Sequence, residues 1–247
     1  MNEKDVITDK YKLLFGDCFE RLKEIPDNSV DAVITDPPYS INYLSTRTPN
    51  RERLKNDDTP ADELFRKFMP DVKRVLKEEG VACVCCAGGG KTPSLALATL
   101  ESIKYLDLVN TVIWSKGKTD GSFVGLGWRY RPSYEAILVL AKNKDKMAWY
   151  SKTNSVSNVF VCKPAIPGRY DHPTPKPIRL MEFFIRNHTK EGDIVLDMFM
   201  GSGTTGVACM RLNRKFIGIE IEEKYFNMAH KRISDEAKNS KLKMFFE

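Results

Sequence analysis

Apolar residues in this chain fall alternately into short continuous runs and into stretches spaced every three or four positions. The run Tyr11–Phe15 ends at Gly16 and predicts a strand; Asp17 then opens a helix carrying Phe19, Leu22 and Ile25. Residues 31–35 predict a second buried strand. From 60 to 79, Leu64, Phe65, Phe68, Val72, Val75 and Leu76 recur at helical spacing, with Gly80 closing the helix and Pro70 expected to kink or split it. A strand over 81–86, a helix over 95–103 and strands over 106–114 and 135–141 follow. The last third is the most regular: an amphipathic helix over 178–188, a strand over 193–197, a glycine turn, a helix over 204–212, a strand over 215–220 and a helix from 222 into the region of 231. Strand, helix and strand in that order form a βαβ unit, and the whole alternation predicts an α/β domain.

Composition changes this picture only modestly. A length of 247 residues, 42% of them hydrophobic, suits a single domain over 1–247. No run approaches the ~18 apolar residues of a membrane span, and the first residues lack an apolar signal segment. A cytoplasmic protein with no membrane partner is expected. The net charge of +6 is concentrated: residues 115–176 hold eleven Lys and Arg against four Asp and Glu, which accounts for the whole excess. Such a segment would suit a polyanion. Residues 142–170 within it have weak periodicity, with Trp149, Tyr150 and Phe160 among lysines and serines, and read as an inserted or substrate-facing segment.

The six cysteines do not suggest a metal. The one CxxC, Cys83 to Cys86, falls in an apolar strand where residues three apart face opposite sides, and the chain has three His. Cys83, Cys85 and Cys86 are expected to be reduced core residues, and no metal site is expected. Gly88-Gly89-Gly90-Lys91-Thr92 suggests a phosphate loop, but that pattern needs glycine where Cys85 stands.

Two stretches carry chemistry. Asp36-Pro37-Pro38-Tyr39 leaves the carboxyl end of a strand, where open α/β sheets bind ligands. The prolines stiffen the backbone and remove donors, leaving an acceptor-rich segment beside an aromatic ring. The ordinary alternative is a strand exit with a turn. Downstream, Gly201, Gly203 and Gly206 fit G-x-G-x-x-G between strand and helix, and Glu220 ends the next strand, where a carboxylate can bind ribose hydroxyls. That unit suits any adenosine-bearing cofactor, a nicotinamide dinucleotide included. Asp17 is either a helix cap or a ligand-facing carboxylate.

Taken together and in this order, Asp36-Pro37-Pro38-Tyr39, His172-Pro173-Thr174-Pro175-Lys176-Pro177, Asp197-Met198-Phe199-Met200-Gly201-Ser202-Gly203-Thr204-Thr205 and Gly218-Ile219-Glu220 make the chain resemble the β-class amino DNA methyltransferases. The resemblance implies a circularly permuted, Rossmann-like methyltransferase fold with a mostly parallel, doubly wound sheet. It implies S-adenosylmethionine as methyl donor, double-stranded DNA as partner, and methylation of adenine N6 or cytosine N4 on a flipped-out base. An Asp heading the tetrapeptide favours adenine.

Residue by residue, the resemblance makes Asp36 and Tyr39 catalytic. The Asp36 carboxylate and the Pro37 carbonyl would accept from the target amino group while Tyr39 stacks on the base. Flipping costs a few kcal/mol, and stacking at ~1–3 kcal/mol per base offsets part of it. Phe199, Gly201, Gly203, Thr204 and Thr205 fall in the methionine-binding loop. Glu220 becomes the ribose ligand, Asp17 the residue facing the adenine, and Thr174 and Lys176 lie towards the methionine end. The stretch available for target recognition, 142–170, is short for the family. Residues from the 40–59 loop or from a second subunit could complete it, so a homodimer is one expected assembly. An RNA amino methyltransferase, a nicotinamide-dependent oxidoreductase and a non-catalytic DNA-binding module are the alternatives.

Overall fold

A computed structural model describes residues 2–38, 59–87, 94–117, 132–165 and 175–246. Nine strands form one sheet: β1 (Val6–Ile7), β2 (Tyr11–Phe15), β3 (Val30–Thr35), β4 (Leu76–Ala87), β5 (Asp107–Ser115), β6 (Tyr134–Ala141), β7 (Val159–Val161), β8 (Ile194–Asp197) and β9 (Lys215–Glu220). Their order is β1-β2-β9-β8-β3-β4-β6-β5-β7. The β2-β9, β9-β8, β8-β3, β3-β4 and β5-β7 pairs are parallel, while β1, and β6 against both its neighbours, run antiparallel. The expected mostly parallel sheet is present.

Helices α1 (Cys18–Arg21), α2 (Ala61–Val75) and α3 (Ser94–Ser102) cover one face, and α4 (Ile178–His188), α5 (Thr204–Arg211) and α6 (Glu223–Phe246) the other. Each central strand serves both layers by alternation. In β4, Val81, Cys83 and Cys85 join Phe184 and Val207 on the α4–α6 side, whereas Ala82, Val84 and Cys86 join Phe68 and Val72 on the α2 side. All six cysteines are buried and free, as expected for Cys83, Cys85 and Cys86, and burial raises the thiol pKa values of these three.

Several elements differ from the sequence expectation. Helix α2 runs unbroken through Pro70 and stops at Val75, so Leu76 to Glu79 belong to β4 rather than to the helix. Helical spacing loses there to sheet pairing: Leu76 aligns with Val30 and is fully buried, and the register shifts before Val81 meets Ala32. Gly80 closes this bulge instead of capping a helix. A Cβ there would lie 2.9 Å from both the Leu76 side chain and the Lys77 carbonyl. Helix α1 is one turn followed by a 3-10 turn at Leu22–Glu24, and β1 and β7 are additional short edge strands.

The 142–165 part of the basic segment packs back on the body. The Tyr150 amide donates to the Asn187 carbonyl at 2.7 Å, Trp149 meets the His188 ring edge-on, and Phe160 lies in β7 beside Trp114 of β5.

Candidate active site at the carboxyl edge of the sheet

Chain connections diverge between β8 and β3: β9 lies on one side and β4 on the other. Such a switch point opens a crevice at the carboxyl ends of the strands. Asp36 leaves β3 and Asp197 ends β8, so the two motifs read from opposite ends of the sequence meet there.

On the β3 side, Lys176 donates to Asp36 Oδ2 at 2.5 Å and lies 3.2 Å from Glu135 Oε2. Glu135, at the start of β6, in turn pairs with Lys116 at 3.1 Å. Lys116, Glu135, Lys176 and Asp36 thus form a row of alternating charge. The Lys176 side chain is 9% exposed and that of Glu135 15%. Burial opposes both charges, yet the Asp36 and Glu135 carboxylates hold Lys176 well above the usual lysine pKa. Burial likewise opposes ionisation of Glu135, but Lys176 and Lys116 bring its pKa below the ordinary carboxylate value. Pro37 is buried beside Asp36, whereas Tyr39 lies outside the described residues.

On the β9 side, Glu220 is 9% exposed, and its oxygens accept from the Gly201 amide and the Glu222 amide, each at 2.8 Å. Burial pushes its pKa up to about 7. Phe15 of β2 is in register with Glu220, and the Gly16 amide donates to the Glu220 carbonyl. Asp17 therefore emerges on the same edge. It caps α1, accepting from the Phe19 amide at 2.9 Å, so the capping role is observed. Burial, with the charges of Asp17 and Glu220, raises the pKa of the buried Cys18 thiol.

The glycine turn is shaped by packing as well as by its position. Gly203 adopts φ +78° at the N-terminus of α5, and a Cβ there would stand 2.8 Å from Ala229 Cβ on α6. Gly206 lets α5 approach Ile233 and Phe216 in the same way. Phe199 stacks edge-on with Phe68 at 5.7 Å, and Thr204 is buried in the first turn of α5. Thr205 donates to Asp197 Oδ2 at 2.7 Å. Thr174 lies outside the described residues, as do Gly88 to Thr92 and nearly all of the 40–59 loop.

Comparison with known proteins decides the family. DNA methylases of the N6 and N4 amino-methyltransferase family match residues 30–231. The chain belongs to this family. It is 31% identical to the type II methyltransferase M.HinfI of Haemophilus influenzae over 90% of the chain and 68% of that protein. It is 30% identical to the DNA adenine methyltransferase YhdJ of Escherichia coli (strain K12), over 90% of the chain and 82% of that protein. Among solved structures, the M1.HpyAVI complex with SAM is similar with TM-score 0.66 and 28% identity, covering 90% of this chain and 99% of that one. The PvuII cytosine-N4-specific methyltransferase shares the fold at TM-score 0.72 and 21% identity, over 94% of this chain and 93% of that one.

Two residues of this crevice were not among the sequence candidates. Asp197, 4% exposed, accepts from Thr35 at 2.8 Å, from Thr205, and from the Phe199 amide at 3.2 Å. It thereby ties the end of β3, from which Asp36 departs, to the glycine turn, and burial pushes its pKa up to about 6. Glu135 is the other. Its only sequence signal is a charge at the head of an otherwise apolar strand. No described helix is long and apolar enough to cross a membrane, and no group of metal-ligating side chains occurs among the described residues.

Proposed function

We propose that this DNA methylase transfers a methyl group from S-adenosylmethionine to adenine N6 in double-stranded DNA, with the base flipped out of the helix. The observation that carries the reading is the meeting of Asp36 with the Asp197–Gly203 turn and Glu220 across the β3–β8 switch point. The adenine preference is supported by the Asp heading the tetrapeptide and by the similarity to a DNA adenine methyltransferase.

The residues present fit the cofactor. Glu220 is a buried carboxylate at a strand end, where ribose hydroxyls could donate to it, and Gly201 and Gly203 hold the adjoining backbone in positive φ. Asp17 would face the adenine ring and Phe199 and the turn the methionine moiety. Bound there, S-adenosylmethionine supplies an electrophilic methyl group on a sulfonium sulfur. Asp36 and the Pro37 carbonyl accept the hydrogens of the target amino group and draw its nitrogen towards tetrahedral geometry, which exposes the lone pair. The bond from nitrogen to the methyl carbon would form as the carbon–sulfur bond breaks and S-adenosylhomocysteine leaves, and the surplus proton would depart along the hydrogen bond to Asp36 or to water. Tyr39 stacks on the extruded base and offsets part of the flipping cost.

The basic 142–170 segment serves as the target-recognition part of this single-domain enzyme, and the location that follows is the cytoplasm, beside its DNA. A homodimer belongs to the same proposal. It is supported by Leu108 and Val109, exposed where β5 extends beyond its pairing with β7. Incubation with methyl-labelled S-adenosylmethionine and unmethylated duplex tests the reading. Label is expected in adenine, with unlabelled duplex DNA and not RNA competing; label in RNA alone would overturn it.

A further inference from the structure

Asp36 has two suitors. The target amino group must donate to its carboxylate, yet Lys176 already donates there at 2.5 Å. If Asp36 turned to the base with nothing else near Lys176, a side chain only 9% exposed would leave an ammonium ion buried without a counterion. Stranding one member of a buried pair is strongly destabilising. Glu135 stands 3.2 Å from the same ammonium, on its own strand and anchored from behind by Lys116. We infer that Glu135 is a positioning residue that holds Lys176 when Asp36 is surrendered to the target amino group, so that base capture does not strand a buried cation. The inference rests on the reading of Asp36 as the amino-group acceptor.

The arrangement is specific in its chemistry. Glu135 touches neither base nor methyl donor in this scheme; it acts through Lys176. Against its burial, its two lysine partners keep it ionised, which a counterion requires. Lys116 is the outer end of the row and shields Glu135 in turn, lying over the Trp114 ring at 5.5 Å.

Glu135→Gln keeps the shape and removes the charge. Lys176 is then left with Asp36 as its acidic partner in the row, and the pair tightens at the expense of the base. The expected result is a fall in kcat of tenfold or more, with S-adenosylhomocysteine affinity by calorimetry within about threefold of wild type. Lys176→Met removes the competing donor, so Glu135→Gln added to it should cost less than threefold further. A structural role for Glu135 would instead give independent losses that multiply, and that outcome would overturn the inference. Unchanged kcat in Glu135→Gln would also overturn it. Should Glu135→Gln fail to fold, Lys116→Met offers the same test. It should lower kcat severalfold in the wild type and leave the Lys176→Met protein unchanged. Asp36→Asn assayed in parallel separates the two levels. Retained transfer there defeats the reading of Asp36 itself, whereas lost transfer with multiplicative Glu135 and Lys176 effects defeats only the role of Glu135.

Discussion

Asp197 shows how much one buried carboxylate can organise. Both of its oxygens are engaged, by Thr35 and Phe199 on one and by Thr205 on the other. An alanine removes both acceptors at once and leaves the Thr35 and Thr205 hydroxyls and the Phe199 amide without this partner. Asp197→Ala is expected to lose about 1–3 kcal/mol of stability, the cost of leaving buried donors unsatisfied, and to weaken S-adenosylhomocysteine binding, because the glycine turn loses its tether. Urea unfolding and calorimetry measure the two losses; a variant as stable and as tight-binding as wild type would show that the tether carries nothing. The partners of Asp197 and Glu135 lie up to 162 positions away, which is why sequence spacing did not mark them. Asp36, Gly201 and Glu220 were legible because each stands at the end of an apolar run in a short pattern, whereas the placement of Lys176 against Asp36 depends on contact across 140 residues.

Among the elements, β8, α5 and β9 were readable because a continuous apolar run, a glycine turn and a second run leave few alternatives. The boundary between α2 and β4 was not. Lys77, Glu78 and Glu79 have good helix propensity and extend the helical spacing, and only the pairing of Leu76 with Val30 ends the helix. Strands β1 and β7, of two and three residues, are too short to produce a periodic signal. The glycines of the turn also gained a second meaning. Gly203 is required both by its φ of +78° and by Ala229 on α6. Gly203→Ala should cost about 2–3 kcal/mol, combining left-handed strain with overpacking. Adding Ala229→Gly should recover the packing part in denaturant unfolding; no recovery would place the whole cost in the backbone.

For the whole molecule, the crevice stores electrostatic cost that a pH series can read. Glu220 has its pKa pushed up from 4.5 to about 7 by burial. Between those values the folded protein keeps a proton that the unfolded chain has released, so this group makes stability fall as pH rises. Asp197, raised from 3.8 to about 6, acts in the same direction at slightly lower pH. His188 opposes them: burial lowers its pKa, so stability rises with pH up to about 6.5 on its account. Glu220→Gln isolates one contribution. Without cofactor, its stability relative to wild type should increase from pH 5 to pH 8, by at most about 3 kcal/mol. A difference independent of pH would contradict a raised carboxylate.

The central claim joins this crevice to one chemical product, adenine methylated at N6 through Asp36. The most direct test is mass spectrometry of the nucleosides in DNA from methylation-deficient cells expressing either the wild type or Asp36→Ala. The wild type is predicted to introduce N6-methyladenine. The variant should introduce none while binding S-adenosylhomocysteine within a few-fold of wild type. N4-methylcytosine in place of N6-methyladenine, or equal methylation by the variant, would contradict the account.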